Sequence, residues 1–314
     1  MLKQIKGAFP CFLAALIWGL SFVAQTTAMD SIETFTFTGV RMMLAVVVLL
    51  PIALLSEKFS KMPKKEGEDK RRARRDLLVS GTLCGLCLFI SINLQQYAFL
   101  DTPAGKIGFL TALYMILVPI LGTLFFRKKV APLVWFSVLL ATVGIFLICG
   151  QSGDLLSFGR GELFSIACSV FFAVQILISD RYAMRVNVYA LSCLQFAVAG
   201  TLSLVCMAIF ETPTWAGIRQ SIPELLYVGV LSSAGGFTLQ LVGQKNTEPV
   251  LASMLLCLES VFSTLFGWML LHQSLNATEL LGCGIVFVAI LLTLVPPEAR
   301  DRFLHKFVKS DQKG

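Results

Sequence analysis

The chain has 314 residues, of which 56% are hydrophobic and 14% charged, and a net charge of +7. Soluble domains carry roughly 25% charged residues, so this composition excludes an ordinary soluble enzyme and points to a protein immersed in lipid. The positive balance does not call for a nucleic-acid partner, because no basic residues stand beside aromatic or groove-fitting elements.

Ten apolar runs are long enough to cross a bilayer as helices: 8–28, 35–56, 77–100, 104–126, 131–150, 161–180, 187–210, 222–244, 249–271 and 277–296. The first follows Lys3 and Lys6 and ends near Thr26-Thr27-Ala28, a pattern that could suit a cleaved leader. Its Trp18, Ser21 and Gln25 share one helical face and have counterparts in the sixth run, so it is expected to be retained. The second run carries Arg41 about six residues in. Between the second and third lies Glu57–Asp76, rich in Lys and Arg, without an apolar core, and expected to be mobile.

The third run offers a small-residue seam, Gly81-x-x-x-Gly85, and the polar cluster Asn93, Gln95, Gln96 and Tyr97. In the fourth, Tyr114 is the polar residue and Pro119 is expected to bend the helix. Phe172, Gln175 and Ser179 share a face of the sixth, and Gln240 sits towards the end of the eighth. Glu259 is about ten residues along the ninth, near mid-membrane at the helical rise of roughly 1.5 Å per residue. Trp135 and Trp268 lie near segment ends, as interfacial anchors do.

The chain repeats itself. At an offset of 145, Leu100–Val130 matches Lys245–Leu275, with Thr102 and Pro103 against Thr247 and Pro249. The ladder Gly108, Ala112, Met115, Pro119, Gly122 falls on Ser253, Cys257, Ser260, Thr264, Gly267. At an offset of 154, Trp18, Ser21, Gln25 and Arg41 fall on Phe172, Gln175, Ser179 and Gln195. The basic loop accounts for the change of offset. The expected organisation is a first repeat over 1–150, a second over 151–297 and a basic cytoplasmic tail over 298–314. Five spans per repeat is an odd number, so the copies must enter the membrane from opposite sides. The expected fold is therefore an all-α integral membrane protein of ten helices in two inverted five-helix repeats, an arrangement of many secondary transporters.

Placing the N-terminus in the cytoplasm puts 22 of the 26 basic residues on that side, leaving Lys106, Arg160 and Arg219 opposite and Arg41 within a helix. Cytoplasmic loops carry such an excess, so both termini are expected inside a cell membrane.

An ionisable residue in a membrane helix costs roughly 2.5–3.5 kcal/mol by insertion scales and usually faces a cavity or a partner. Glu259 can serve a substrate amine or a proton, and Arg41 a carboxylate; alternatively each bonds neighbouring helices. Trp18, Gln25, Gln95, Tyr114, Gln175, Gln240 and Glu259 are the candidate lining of a shared wet cavity, with Arg41 as a charge anchor. Nine cysteines lie almost all in apolar segments, and the one close pair, Cys84-x-x-Cys87, lacks a second ligand pair. No metal site, cofactor or catalytic set is expected.

The stretches Leu16-Ile-Trp-Gly-Leu-Ser-Phe, Arg41-Met-Met-Leu-Ala and Ala252 to Leu275 with Leu281-Gly282, together with the doubled five-helix plan, resemble the drug/metabolite transporter superfamily in its ten-helix EamA-type branch. Ser260 stands where that family often has Pro, and His272-Gln273 where it often has Gly-Glu. The resemblance implies export of small polar metabolites, amino acids among them, through a central cavity built by both repeats.

The expected function is thus a secondary transporter, an exporter of an amino acid or analogue working by alternating access. The chain has no Gly-x-x-x-x-Gly-Lys-Ser/Thr loop for ATP, so a proton gradient or the substrate's own gradient is the expected drive. Membrane lipids and a small metabolite are the expected partners; the oligomeric state is not legible. The rivals are a non-transporting sensor or assembly subunit with a transporter fold and an intramembrane enzyme. The enzyme is disfavoured because His272 and His305 are the only histidines and no His-Glu-x-x-His or Asp-rich pair on one helix occurs.

Overall fold

The computed structural model describes residues 2–58, 67–102, 104–127, 130–149, 159–271 and 276–294, and these are almost wholly helical. Ten membrane helices follow in order: α1 (Leu2–Ala28), α2 (Thr34–Lys58), α3 (Gly67–Asp101), α4 in two pieces (Ala104–Ala112 and Tyr114–Phe126), α5 (Pro132–Cys149), α6 (Arg160–Ala183) and α7 (Val188–Phe210). A short helix, Trp215–Gln220, precedes α8, which runs from Ile222–Leu226 through a π-helical segment, Tyr227–Phe237, into Thr238–Gln244. Then come α9 (Pro249–Leu256 and Leu258–Leu271) and α10 (Ala277–Leu294). Eight are long and apolar enough to span a bilayer; α5 and α10 are shorter apolar helices.

Half of the expected loop Glu57–Asp76 is instead helix. α3 begins at Gly67, with Glu68 and Asp69 in its first turn, where acidic side chains favour a helix N-terminus. Lys70, Arg71, Arg72, Arg74 and Arg75 thus ride on an extension of α3; residues 59–66 lie outside the described residues, as do His272, Gln273 and the tail over 298–314.

The halves interlock rather than sit side by side. α2 packs on α7, α5 on α10, α3 on α6 and α7, and α1 on α8 and α9. Missing side chains mark the closest approaches, as small residues do between membrane helices. Gly7 lies against Thr247 and the Gly243 carbonyl, and Gly161 against Thr102 and the Ala98 carbonyl. These two contacts are copies of each other, displaced by 154 on one partner and 145 on the other. Helices that correspond between the repeats run antiparallel: Gly39 meets Leu204 while Gly200 meets Met43, and Gly144 meets Val286 while Gly282 meets Ile148. Such pairing is what a pseudo-two-fold axis in the membrane plane produces.

α4 and α9 are both interrupted, at Leu113 and at Cys257. Pro119, expected to bend α4, sits inside the piece Tyr114–Phe126, and α9 is interrupted as well although Thr264 occupies the matching position. The interruption therefore belongs to the repeat and not to the proline. The two breaks face each other across the small-residue ladders: Cys257 Sγ lies 3.6 Å from the Ala112 carbonyl, and Ser260 Oγ donates to the Gly108 carbonyl at 3.2 Å.

The ends of the α2/α7 pair are fastened differently. At one end the Glu211 carboxylate accepts from Phe35 N, Thr36 N and Thr36 Oγ1 at 2.6–2.7 Å. At the other, Asn187 caps α7 by accepting from Tyr189 N and Ala190 N, and donates to Ser56 Oγ at 2.8 Å.

Candidate functional site

Inside this bundle lies a narrow cavity of about 50 Å³, lined from α1, α2, α3, α4, α6, α8 and α9. All eight residues singled out above reach it: Trp18, Gln25, Arg41, Gln95, Tyr114, Gln175, Gln240 and Glu259. Helical periodicity puts them there. Trp18, Ser21 and Gln25 descend one face of α1, Phe172, Gln175 and Ile176 project from α6, and Tyr114 and Glu259 sit just after the breaks of α4 and α9.

One wall is a continuous chain of hydrogen bonds. Arg41 Nη1 donates to Gln25 Oε1 at 2.7 Å, and Gln25 Nε2 donates to Ser21 Oγ at 3.0 Å. Ser232 Oγ donates to Ser21 Oγ at 3.0 Å, and the Trp18 indole donates to the Ser232 carbonyl at 3.1 Å. The Arg41 guanidinium also lies 5.1 Å from the Phe37 ring centre, a favourable place for a cation. Its Nε has no hydrogen-bond partner among the described residues.

The other charge is lightly held. Tyr114 OH donates to Glu259 Oε1 at 3.3 Å. Arg41 and Glu259 thus bond different partners, Gln25 and Tyr114, rather than being joined by the direct pairing their charges would allow. The amides complete the lining: Gln240 Nε2 donates to Gln175 Oε1 at 3.0 Å, Gln175 Nε2 to Gln195 Oε1 at 3.3 Å, and Gln95 Nε2 to Thr111 Oγ1 at 3.3 Å. Gln240 Oε1 is left without a partner among the described residues. A buried donor on Arg41 and a buried acceptor on Gln240 are each costly to leave unpaired, and a polar ligand could satisfy both.

Two aromatic side chains share the lining with the charges. Trp18 and Phe172, equivalent in the two repeats, both pack against the core cluster around Tyr114, Leu256 and Ile176 and against the one around Met42, Ile92 and Phe237. Trp18 lies 4.8 Å from Phe237 and Phe172 6.4 Å from Tyr114, centre to centre.

Several lining residues escaped the sequence reading: Thr111, Ser232, Ser233, Phe237 and the apolar Phe22, Met42, Ile92 and Leu256. Apolar residues are silent in a hydrophobic helix, and the serines lie where α8 drifts out of the 145-residue register. Of the polar cluster on α3, only Gln95 faces the cavity. Asn93 bonds Ser203 of α7, and Gln96 the Gln25 carbonyl.

A family model described as the EamA-like transporter family matches residues 5–150 and again 159–295. An uncharacterized transporter of Archaeoglobus fulgidus is 27% identical over 290 residues, covering 92% of this chain and 86% of its own. An S-adenosylmethionine/S-adenosylhomocysteine transporter of Chlamydia trachomatis is 23% identical over 301 residues, covering 90% and 88%. A crystal structure with 17% sequence identity superposes with a TM-score of 0.74 over 92% of this chain and 96% of that one, a likeness of fold.

Proposed function

Because the chain belongs to the EamA-like transporter family, we propose that its central cavity is the transport site of a secondary carrier that exports a small polar metabolite, an amino acid or an analogue, by alternating access. One observation carries this reading: polar and charged side chains from both repeats converge on one cavity between interlocked halves. Lining a mid-membrane space with Arg41, Glu259 and four glutamines is expensive unless something polar passes through it.

The chemistry of the lining suits a zwitterion with a flat body. Arg41 offers donors to a carboxylate, Glu259 accepts from an ammonium, and Trp18 and Phe172 supply aromatic faces in the same cavity. S-adenosylmethionine, a cargo named for the Chlamydia relative, combines those three features, so it and simpler amino acids head the panel to be tested. Glu259, with its single long bond, is the residue through which a proton would couple. The distribution of Lys and Arg supports an orientation with both termini in the cytoplasm.

The test is uptake of a labelled metabolite panel, amino acids and S-adenosyl compounds included, into proteoliposomes holding the purified protein. Saturable, gradient-dependent movement of one class supports the reading. Binding of a ligand that is never moved across the membrane would favour a sensor, and movement unaffected by Arg41→Leu would remove the cavity from the mechanism.

A further inference from the structure

The π-helical segment of α8 is an inserted piece of cavity wall. Repeat-equivalent contacts give the register on either side of it. Gly85 of α3 lies against the Gln195 carbonyl and Val198, and Gly229 of α8 lies against the Arg41 carbonyl and Leu44; the partners differ by 154 and the glycines by 144. At the far end, the Ala98 carbonyl receives Gly161 as the Gly243 carbonyl receives Gly7, and the difference on this side is 145. Gly85 and Ala98 are 13 positions apart in α3, whereas Gly229 and Gly243 are 14 apart in α8. One extra residue has entered α8 between two fixed anchors. Its π segment, Tyr227–Phe237, closes i to i+5 bonds instead of i to i+4, which absorbs an additional residue without moving the ends.

The widened turns face the cavity and do specific things there. The Ser232 carbonyl is available to the Trp18 indole, and the Ser232 hydroxyl reaches Ser21. Gly236 has no side chain where Trp18 lies; a Cβ there would meet the indole itself. Phe237 packs on the same indole. Ser233 adds a second hydroxyl to the lining. Through Ser21 and Gln25 the segment is bonded to Arg41.

We infer that this one-residue insertion is the specificity-determining element of the cavity: the π segment seats Trp18 and, through Ser232, Ser21 and Gln25, positions Arg41 for the anionic group of the cargo. The inference rests on the transporter reading and adds which part of the wall chooses the ligand. α3, its counterpart, lacks the insertion and presents Ile92 and Gln95 instead, so the two repeats give the cavity unlike sides.

Deleting Gly235, whose absent side chain meets only the Val230 carbonyl, should restore the α register while keeping Gly229 and Gly243 on their anchors. The variant should elute as the parent does, shift the fluorescence of the half-buried Trp18 to the red in a background where Trp135, Trp215 and Trp268 are Phe, and bind carboxylate-bearing ligands about tenfold or more weakly. Neutral ligands should be affected less. A deletion variant with the parent's ligand profile would overturn the inference while leaving transport intact. Parent protein that neither binds nor moves any member of the panel would overturn the transporter reading, and this inference with it.

Should the deletion prevent folding, Ser232→Ala, Gln25→Leu and the double variant decide. Each single change is expected to weaken carboxylate binding about fivefold, with the double little worse than either, because members of one network are not additive. Independent, multiplying effects would break the proposed chain and overturn it.

Discussion

Arg41 and Glu259 are almost equally buried, 3% and 5% exposed, yet they are held in opposite ways. Arg41 is fixed by a 2.7 Å bond to Gln25, a network running to α8 and the Phe37 ring beneath it. Glu259 has a Tyr114 hydroxyl at 3.3 Å and sits just beyond a break in its helix. A charge held by a network is pre-organised to receive a ligand group, whereas a charge held by one long bond is free to exchange its partner. Within the proposed transport reading, the contrast suits Arg41 to orienting a ligand and Glu259 to exchanging an ammonium or a proton.

The largest expected effect comes from Arg41→Leu. Carboxylate binding should fall about a hundredfold, the worth of strong charge-assisted bonds. The apparent melting temperature should hold or rise, because exchanging a buried charge for an apolar group is often stabilising. Parallel ligand titration and thermal unfolding check both halves of that statement. A parallel loss of stability would make Arg41 a structural tie instead.

Next comes Glu259→Gln, with transport expected to fall about tenfold and its dependence on pH to flatten; uptake measured across pH in proteoliposomes checks this. Unchanged pH dependence would take the proton away from this residue. Gln25→Leu loosens Arg41 without removing it, and should weaken carboxylate ligands about fivefold while sparing neutral ones. The smallest effect, about threefold, is expected of Tyr114→Phe. A larger loss there than at Gln25 would reverse the comparison, since it would make Glu259 the more tightly organised pole.

Much of this architecture could be read before any coordinates. The ten apolar runs end within a few residues of α1 to α10 except at α3, where charged residues that favour helix under acidic N-terminal capping look, by hydropathy alone, like a loop. Helical spacing brought Trp18 and Gln25 to one face, and the repeat drew attention to Gln175 and Glu259; all line the cavity. What stayed hidden was backbone detail. Neither the breaks at Leu113 and Cys257 nor the π segment changes composition, and Pro119, the one visible breaker, is not where α4 parts. Ser232 and Ser233 were missed because comparison at a single offset cannot follow an inserted residue.

The α2/α7 pair is fastened unequally at its two ends. Parting these helices at the Glu211 end breaks three charge-assisted bonds, each roughly twice as strong as a neutral one. At the Asn187 end the bond from Asn187 to Ser56 is a neutral one. If the proposed alternating access holds, the three carboxylate bonds would make the Glu211 end the harder one to part in an unloaded molecule. An exporter would profit from a bias of that kind, since an empty return that lingers facing outward would invite the released solute back.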